Sequence, residues 1–208
     1  MLNICLPIPG TPNRNGRKQT GAKLALKPFQ VWGIRIRLQV ANSFRDLALF
    51  DLALDSKLRG CDLSALKVSD LMSTTGVRSR VTIMQRKTGR PVTFEVTQQT
   101  RRSIASWIDA KGLRGEDWLF PSRSKKGFHF TTRQYSRLVA KWVASVGLDP
   151  AAYGTHSMRR TKVSLLYKKT GNLRACQLLL GHTKLESTVR YLGVEVDDAL
   201  EQSEGLEL

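Results

Sequence analysis

The chain has 208 residues, 41% of them hydrophobic, which is enough for a substantial core and too many for a disordered chain. Its 34 Lys and Arg outnumber 17 Asp and Glu, so the formal net charge is +17. A charge of this size and sign favours a polyanionic partner, and nucleic acid is the polyanion that we expect.

The cysteines and the apolar runs exclude further classes of protein. Cys5, Cys61 and Cys176 are odd in number and lack CxxC spacing. We therefore expect reduced thiols in a cytoplasmic protein rather than disulfides or a cysteine metal site. No apolar run reaches the ~18 residues of a membrane span. The first ten residues are too short and too rich in Pro and Gly for a signal peptide.

The first part of the chain is predicted to be a flexible arm followed by two helices. Residues 1–27 carry five Lys and Arg, several Pro and Gly and no acid, which is typical of a flexible basic arm. A helix is predicted from Pro28 to about Ala41, because Pro suits the first helical turn, although the alternation in IRIRLQV also permits a strand. Phe44 to Leu58 is apolar on nearly every side, as a central core helix is. Arg59 follows in the turn, where by itself it would cap the last helix carbonyls.

A β-hairpin is predicted next. Arg80 to Val96 alternates apolar and polar residues on both sides of Lys87-Thr88-Gly89-Arg90, with Gly89 at the tight position of the turn. A lysine beside a hairpin tip is ordinarily a solvated surface residue, and Lys87 alone would be interpreted in that way.

Two amphipathic helices follow the hairpin. The first spans Thr97 to Gly112, with Ile104, Trp107 and Ile108 directed inward. Ser122 to Phe130 is a basic loop in which His129 is expected to be exposed. The second helix spans Thr131 to Val146, and its aromatic stripe is assigned to the core rather than to base stacking. Its outer face would follow a DNA backbone and carries Arg133, Arg137 and Lys141.

The segment from Thr155 to Leu192 contains an unusual buried charge. With Thr155 as N-cap, a helix begins at His156, and its inward stripe runs through His156, Arg159 and Val163. A buried guanidinium is costly without an anion, and no acid occurs between Asp149 and Glu186. The anion must therefore come from elsewhere in the fold or from a ligand.

The same segment ends with an exposed histidine and a displaced tyrosine. Residues 178–182 (LLLGH) predict a buried helix end, a stop at Gly181 and an exposed His182. In the last short helix Leu185, Val189 and Leu192 share one side. Tyr191 lies about 120° from that side, so it is predicted to be directed away from the core.

These residues together resemble the signature of a known family. His156-Ser157-Met158-Arg159, then Leu180-Gly181-His182, then Tyr191 nine residues later resembles the signature of the tyrosine recombinases, the phage-integrase family. The resemblance covers about residues 28–194, with residues 195–208 as an acidic tail. It implies an α+β, mainly helical catalytic domain with a small antiparallel hairpin. Many relatives have His where this chain has Arg160. Relatives usually carry a helical clamp domain before the catalytic one, and no such domain is expected within the 58 residues before Arg59.

The resemblance also implies roles for individual residues. Arg59 is similar to the first catalytic arginine and Asp62 to its supporting acid, while Lys87 matches the lysine of the Lys-Thr-Gly hairpin. Arg59 and Arg159 would hold the non-bridging phosphate oxygens, and Tyr191 would attack phosphorus. Proton transfer and charge stabilisation would come from His156, His182 and Lys87. Further DNA contacts are expected from Arg86, Arg90, Arg160 and Lys162. The interpretation requires that Tyr191 is directed away from the core and that Arg59 and Arg159 lie close enough to bind the same anion.

The resulting prediction is a site-specific DNA recombinase, an integrase or invertase of a mobile element, that forms a 3′-phosphotyrosine intermediate. Two alternatives stay open: a non-catalytic DNA-binding regulator and a type IB topoisomerase. The expected partners are double-stranded DNA, further copies of the chain in a tetramer, and an accessory DNA-binding protein. No metal or nucleotide cofactor is expected, because no acidic cluster or Gly-rich phosphate loop is present. The expected location is the cytoplasm, on the nucleoid, and the acidic tail is expected to serve assembly.

Overall fold

A computed structural model describes residues 23–192, so most of the predicted arm and the whole acidic tail lie outside the described residues. Helices dominate, as predicted, with two short antiparallel sheets. In chain order the elements are α1 Pro28–Val40, α2 Phe44–Ser56, α3 Gly60–Ser64, α4 Val68–Leu71, β1 Met72–Ser73, β2 Gly76–Val77, β3 Arg80–Met84, β4 Pro91–Glu95, α5 Gln98–Lys111, α6 Thr132–Ser145, α7 Thr155–Thr170, α8 Leu173–Leu180 and α9 Leu185–Leu192.

Helix α2 is the centre of the fold. Every residue from Leu47 to Ser56 is buried, because α1, α5 and α7 all pack around this helix. Two carboxylates of α2 are buried and paired: Asp51 with Arg35 at 2.8 Å and Asp55 with Lys162 at 2.5 Å. The predicted core helix is therefore confirmed, and both buried acids pair with cations from neighbouring helices, although Oδ2 of Asp51 has no hydrogen-bond partner within residues 23–192.

The predictions for α1, α5 and α6 are confirmed as well. Thr97 and Thr131 accept hydrogen bonds at the first turns of α5 and α6. The aromatic stripe of α6 lies in the core, with Tyr135 and Trp142 both buried. His129 differs from its prediction, because it is partly buried against Trp118 and its Nδ1 lies 2.7 Å from the carbonyl oxygen of Phe130.

The predicted hairpin is formed by β3 and β4, which pair from Arg80 with Glu95 to Met84 with Pro91. Residues 85–90 connect them and are called the hairpin loop below. Gly89 has φ +62°, a left-handed conformation that suits glycine. The amide of Gly89 donates to the carbonyl oxygen of Gln85 at 2.8 Å and closes the loop.

The flexible arm was predicted to extend to residue 27, but residues 23–27 pack against the folded domain. The Leu24 amide donates to Ala152 O, and the Leu26 amide donates to the side chain of Thr161 on α7. Leu26 is only 2% exposed. Apolar burial and backbone hydrogen bonds therefore hold this segment, which composition alone assigned to the arm.

Helices α7, α8 and α9 enclose a second, smaller cluster of apolar residues. Val163, Cys176 and Leu180 form its centre, and Tyr191 and Leu192 pack against it. Within residues 23–192, no helix has the length and apolar character that a membrane span requires.

Candidate active site

Arg159 is the most unusual charged residue of this region. It lies in the second turn of α7 and is 3% exposed. Its Nη2 donates to the carbonyl oxygen of Leu180, while its Nε is buried and has no hydrogen-bond partner among residues 23–192. No carboxylate of the described chain forms an ion pair with it. A buried guanidinium with an unsatisfied donor favours binding of an anion.

His156 does not share the buried face of Arg159, contrary to the prediction. Helix α7 begins at Thr155, and Ser157 Oγ accepts from the Gly154 amide at 3.0 Å. This start leaves His156 in the open first turn, where it is exposed. Protein atoms that replace water on one side of the ring lower the pKa of His156, and the charges of Arg159, Arg160 and Arg59 lower it further. A neutral imidazole at this position can accept a proton.

Arg59 lies at the N-cap of α3, in an extended conformation. Its Nη1 donates to Gln85 Oε1 at 2.6 Å, so its side chain is directed to the hairpin loop and not to the carbonyls that end α2. Asp62 was expected to support Arg59 or its helix, but its Oδ1 accepts instead from the Arg86 amide at 2.9 Å. The acid therefore anchors the hairpin loop to α3.

Arg59 and Arg159 converge on the turn formed by Leu180 and Gly181. Arg159 donates to Leu180 O. Arg59 donates to the side-chain amide of Gln85. This amide lies against Gly181, since a Cβ on the glycine would be 3.2 Å from Gln85 Nε2. The pKa of Arg159 is lowered by burial first and then by the charge of Arg59. The two guanidiniums are thus close enough to influence each other, although Asp62 acts on the pKa of Arg159 in the opposite direction to Arg59.

The ring of Tyr191 is turned inward, so the prediction of an outward side chain is wrong. Thr188 is the buried residue of α9, whereas Leu185 is exposed. Tyr191 lies one turn from Thr188, so both face the small cluster of α7 and α8, which the helix pattern alone could not locate. The reacting oxygen still meets the requirement stated for the recombinase interpretation, because the hydroxyl stays at the surface, where it donates to His156 O at 3.1 Å.

Cations surround the Tyr191 ring. The guanidinium carbons of Arg160 and Arg159 lie 5.0 Å and 5.7 Å from its centroid, and the His182 ring lies at 5.5 Å. Burial raises the pKa of Tyr191, and the charges of Arg159, Arg160 and Arg59 act in the opposite direction. These charges would stabilise a phenolate or an anion bound beside it.

His182 is partly buried and not exposed as predicted. Its Nδ1 lies 3.1 Å from the hydroxyl of Thr188. Burial lowers the pKa of His182 to about 4, with further contributions from Arg159 and Arg59, so the ring is neutral at pH 7. The preceding helix end also differs from its prediction: Leu180 is buried, but Leu178 is 63% exposed, because α8 presents only one side to α7.

Lys87 is exposed on the hairpin loop, and no hydrogen bond or ion pair of its ammonium is formed within residues 23–192. Arg86 and Arg90 flank it and are exposed too. The loop carries three cations next to Arg59, so the structure brings the predicted lysine to the same side of the fold as the two arginines.

The remaining predicted DNA-binding residues fall into two groups. On α6 the exposed outer face carries Arg133, Arg137 and Lys141, as expected from the helical pattern. Arg160 and Lys162 differ because their side chains are engaged within the protein. Arg160 donates to Lys23 O at 2.8 Å, and Lys162 pairs with the buried Asp55. Lys162 is therefore not a free cation for a DNA phosphate.

Gln85 was not singled out from the sequence, although it connects the hairpin loop to Arg59. It is 2% exposed and accepts from both Arg59 and Thr88. The signal was the strand period, because Val81, Ile83 and Gln85 share one face of β3 and its continuation. The alternation therefore places a polar side chain at the third inward position, where an apolar residue is ordinary. For metals, no group of three or more His, Cys, Asp and Glu is suitably placed in the part of the chain that the structure describes.

A family comparison decides the assignment. The model of the phage integrase family matches residues 33–197. The chain belongs to this family. The probable integrase/recombinase YoeC of Bacillus subtilis (strain 168) is 26% identical over 154 residues, which cover 74% of this chain and 80% of that protein. The tyrosine recombinase XerD of Rhizobium meliloti (strain 1021) is 29% identical over 157 residues, 74% of this chain but 49% of XerD.

Solved structures support the fold. A crystal structure of XerA recombinase superposes with a TM-score of 0.70 at 18% identity and covers 95% of this chain and 65% of XerA. One of XerH site-specific recombinase bound to difH substrate has a TM-score of 0.69 at 18% identity, over 88% of this chain and 54% of that one. The chain thus has the catalytic-domain fold of tyrosine recombinases. It spans about half the length of XerD and XerH and 65% of XerA.

Proposed function

We propose that this chain is a site-specific DNA recombinase that cleaves and rejoins DNA through a covalent 3′-phosphotyrosine. The observation that carries the proposal is the buried guanidinium of Arg159, whose Nε has no hydrogen-bond partner within residues 23–192. It lies beside the ring of Tyr191 and close enough to Arg59 to be influenced by its charge. This arrangement suits one phosphodiester group, because two guanidiniums neutralise its non-bridging oxygens while a phenol attacks its phosphorus.

The reaction needs one bond to form and one to break. The Tyr191 oxygen forms a bond to phosphorus, and the bond from phosphorus to the 5′ oxygen breaks, which leaves a 3′-phosphotyrosine and a free 5′ hydroxyl. His156 accepts the phenolic proton, and Lys87 donates a proton to the departing oxygen. His182, neutral at pH 7, hydrogen-bonds the developing charge. Rejoining reverses these steps with a 5′ hydroxyl from the same or another duplex.

The hydroxyl of Tyr191 must leave His156 O before it can attack. Its bond to this carbonyl lies at the protein surface, and the first helical turn of α7 is open there. We infer that a bound phosphate replaces the carbonyl as the partner of Tyr191 and positions the phenol between Arg159 and the incoming phosphorus. The supporting role of Asp62 is then to fix the hairpin loop and with it Lys87.

Double-stranded DNA is the proposed substrate, bound by the cations of the hairpin loop and of α6, including Arg86, Arg90, Arg133, Arg137 and Lys141. Arg160 supports Tyr191 rather than the DNA backbone. The relative XerH was solved bound to its difH substrate, which makes DNA the natural ligand class to test here. Such an enzyme would act in the cytoplasm, on nucleoid DNA.

Recombination requires two duplexes, so we propose a tetramer of this chain on paired sites, with an accessory DNA-binding protein as a further candidate partner.

Residues 195–208 carry six acids and no Lys or Arg, and this charge is complementary to the basic protein surface. Deletion of residues 195–208 should change the oligomeric state or DNA affinity, measured by light scattering and by titration. A deletion variant identical to the full chain in both would exclude an assembly role for the tail.

The test of the proposal is covalent capture on nicked suicide duplexes. The wild type should yield a protein–DNA adduct that Tyr191→Phe loses while DNA binding is retained. Tyr167→Phe is the matched control, because Tyr167 packs against the same small cluster and should keep the adduct. DNA binding without any adduct would favour the regulator, and relaxation of plasmids without strand exchange would favour the topoisomerase.

A further inference from the structure

We propose that Gln85 is a positioning residue for this reaction, holding the Arg59 guanidinium and the hairpin loop in one arrangement without neutralising the charge of Arg59. The inference rests on the proposed function for its catalytic consequence. The structural coupling that it describes can be measured independently.

The side chain of Gln85 joins two parts of the candidate site. Its Oε1 accepts from Arg59 Nη1 at 2.6 Å and from Thr88 Oγ1 at 2.8 Å. Both bonds end on one oxygen of a side chain that is 2% exposed. A buried amide with this little freedom fixes the direction of the guanidinium.

The main chain of Gln85 closes the loop that carries Lys87. The Gln85 amide donates to Arg90 O at 2.9 Å, and Gln85 O accepts from the amides of Thr88 and Gly89. The next residue is also fixed, since the Arg86 amide donates to Asp62. The loop is therefore attached to the start of α3 through two neighbouring residues, and Gln85 is the one that contacts the catalytic candidate Arg59.

The side-chain amide of Gln85 also packs closely against Gly181. A Cβ on Gly181 would lie 3.2 Å from Gln85 Nε2 and 2.8 Å from Val92 Cγ2. Gly181 follows Leu180, whose carbonyl oxygen accepts from Arg159, and it precedes His182. Gln85 thus lies where the supports of both arginines meet, and a change of its shape would be transmitted to each of them.

The choice of an amide has a chemical reason. A glutamate here would hold Arg59 equally well, but its charge would cancel that of the guanidinium and compete with a phosphate. A methionine would fill the same volume without an acceptor. Gln85 is the uncharged acceptor that leaves the positive charge of Arg59 available for a ligand, and this distinction provides the experiment.

The experiment compares Gln85→Met and Gln85→Glu with the wild type. Gln30→Met is the matched control, because Gln30 is a buried glutamine whose Oε1 accepts from the main-chain amide of Lys27, the N-cap of α1, at 2.8 Å. Single-turnover strand cleavage should fall about tenfold or more in Gln85→Met, because a guanidinium displaced by about 1 Å is costly to the transition state. Gln30→Met should cleave like the wild type.

Nitrogen NMR of the Arg59 guanidinium supplies a readout that does not depend on activity. Rotation of the guanidinium should be restricted in the wild type, in Gln30→Met and in Gln85→Glu, and free in Gln85→Met. Gln85→Glu should keep Arg59 ordered yet cleave slowly, which separates position from charge. Wild-type cleavage in Gln85→Met, or unchanged Arg59 resonances in it, would overturn the inference. Failure of the wild type itself to form an adduct would instead refute the proposed function, and the NMR comparison would still decide the role of Gln85.

Discussion

The Tyr191 hydroxyl donates to the main-chain carbonyl oxygen of His156 at 3.1 Å. This bond joins the proposed nucleophile to the first turn of α7, while its ring centroid lies 5.0 Å from the guanidinium carbon of Arg160 and 5.5 Å from the centroid of the His182 ring. The phenol is therefore held close to the proposed phosphate site, with a carbonyl as its temporary partner. In the proposed mechanism, activation of Tyr191 requires the exchange of this one hydrogen bond.

The arginines around Tyr191 should control its acidity. Burial raises the pKa of Tyr191, and Arg160 is among the charges that lower it. Removal of the Arg160 charge by Arg160→Gln should therefore move the pKa of Tyr191 further upward. We would measure this with a difluorotyrosine at position 191, followed by fluorine NMR during a pH titration. An unchanged or lower pKa in Arg160→Gln would contradict the electrostatic role assigned to this residue.

His182 should make stability sensitive to acid. Its pKa in the folded protein is about 4, below the ordinary 6.5, so folding favours the neutral ring. The corresponding stability is complete above pH 6.5 and is lost as the pH falls toward 4. Urea unfolding of the wild type between pH 7.5 and 4.5 should show this loss. In His182→Gln the free energy of unfolding should depend less steeply on pH. If the free energy of unfolding falls equally with pH in both proteins, a group other than His182 causes the loss.

Gly181 should tolerate substitution much less than Gly171. Both glycines end a helix with φ +63°, so alanine costs each about 1 kcal/mol of conformational energy. Only at Gly181 does a Cβ also overlap Val92 and Gln85, which adds about 1–3 kcal/mol of overpacking. Chemical denaturation should therefore show a larger loss for Gly181→Ala, with slower strand cleavage as well. Equal losses would mean that Gln85 and Val92 yield to the methyl group.

Lys57 should be replaceable by glycine with a gain in stability. It is 4% exposed and has φ +54°, and burial, followed by Lys162, lowers its pKa to about 8. Because the folded protein favours the neutral amine, the buried charge is unfavourable at pH 7 and the penalty fades above pH 8. Lys57→Gly should raise the free energy of unfolding at pH 7 by about 1 kcal/mol, and by less at pH 10. The control is Asn42→Gly, at φ +48° on the surface, which should change the free energy of unfolding little. A lower free energy of unfolding in Lys57→Gly would show that the ammonium stabilises the fold.

The outer face of α6 should account for part of the salt dependence of DNA binding. Neutralising Arg133, Arg137 and Lys141 with glutamine should reduce the slope of log K against log salt by about 0.9 for each DNA phosphate that these side chains neutralise in the wild type. The control removes the same charge elsewhere on the surface, through Lys111, Arg114 and Lys168. If the control variant changes the slope as much, the cations act through net charge and α6 is not a DNA-binding face.

The sequence alone was sufficient for features that depend on local pattern. Helical periodicity predicted α5 and α6, and alternation around Lys87 predicted the hairpin and its exposed tip. The order and spacing of Arg159, His182 and Tyr191 indicated the family, because these residues lie on consecutive short elements.

The tertiary structure decided how each side chain is directed. A short helix such as α9 has apolar residues on more than one side, so only its packing on α7 and α8 turns the Tyr191 ring inward. The same holds for partners that are distant in the chain. Asp62 meets the Arg86 amide, Lys162 meets Asp55 and Gln85 meets Arg59, because a hydrogen bond depends on proximity in space, and periodicity within one element carries no information about its neighbours.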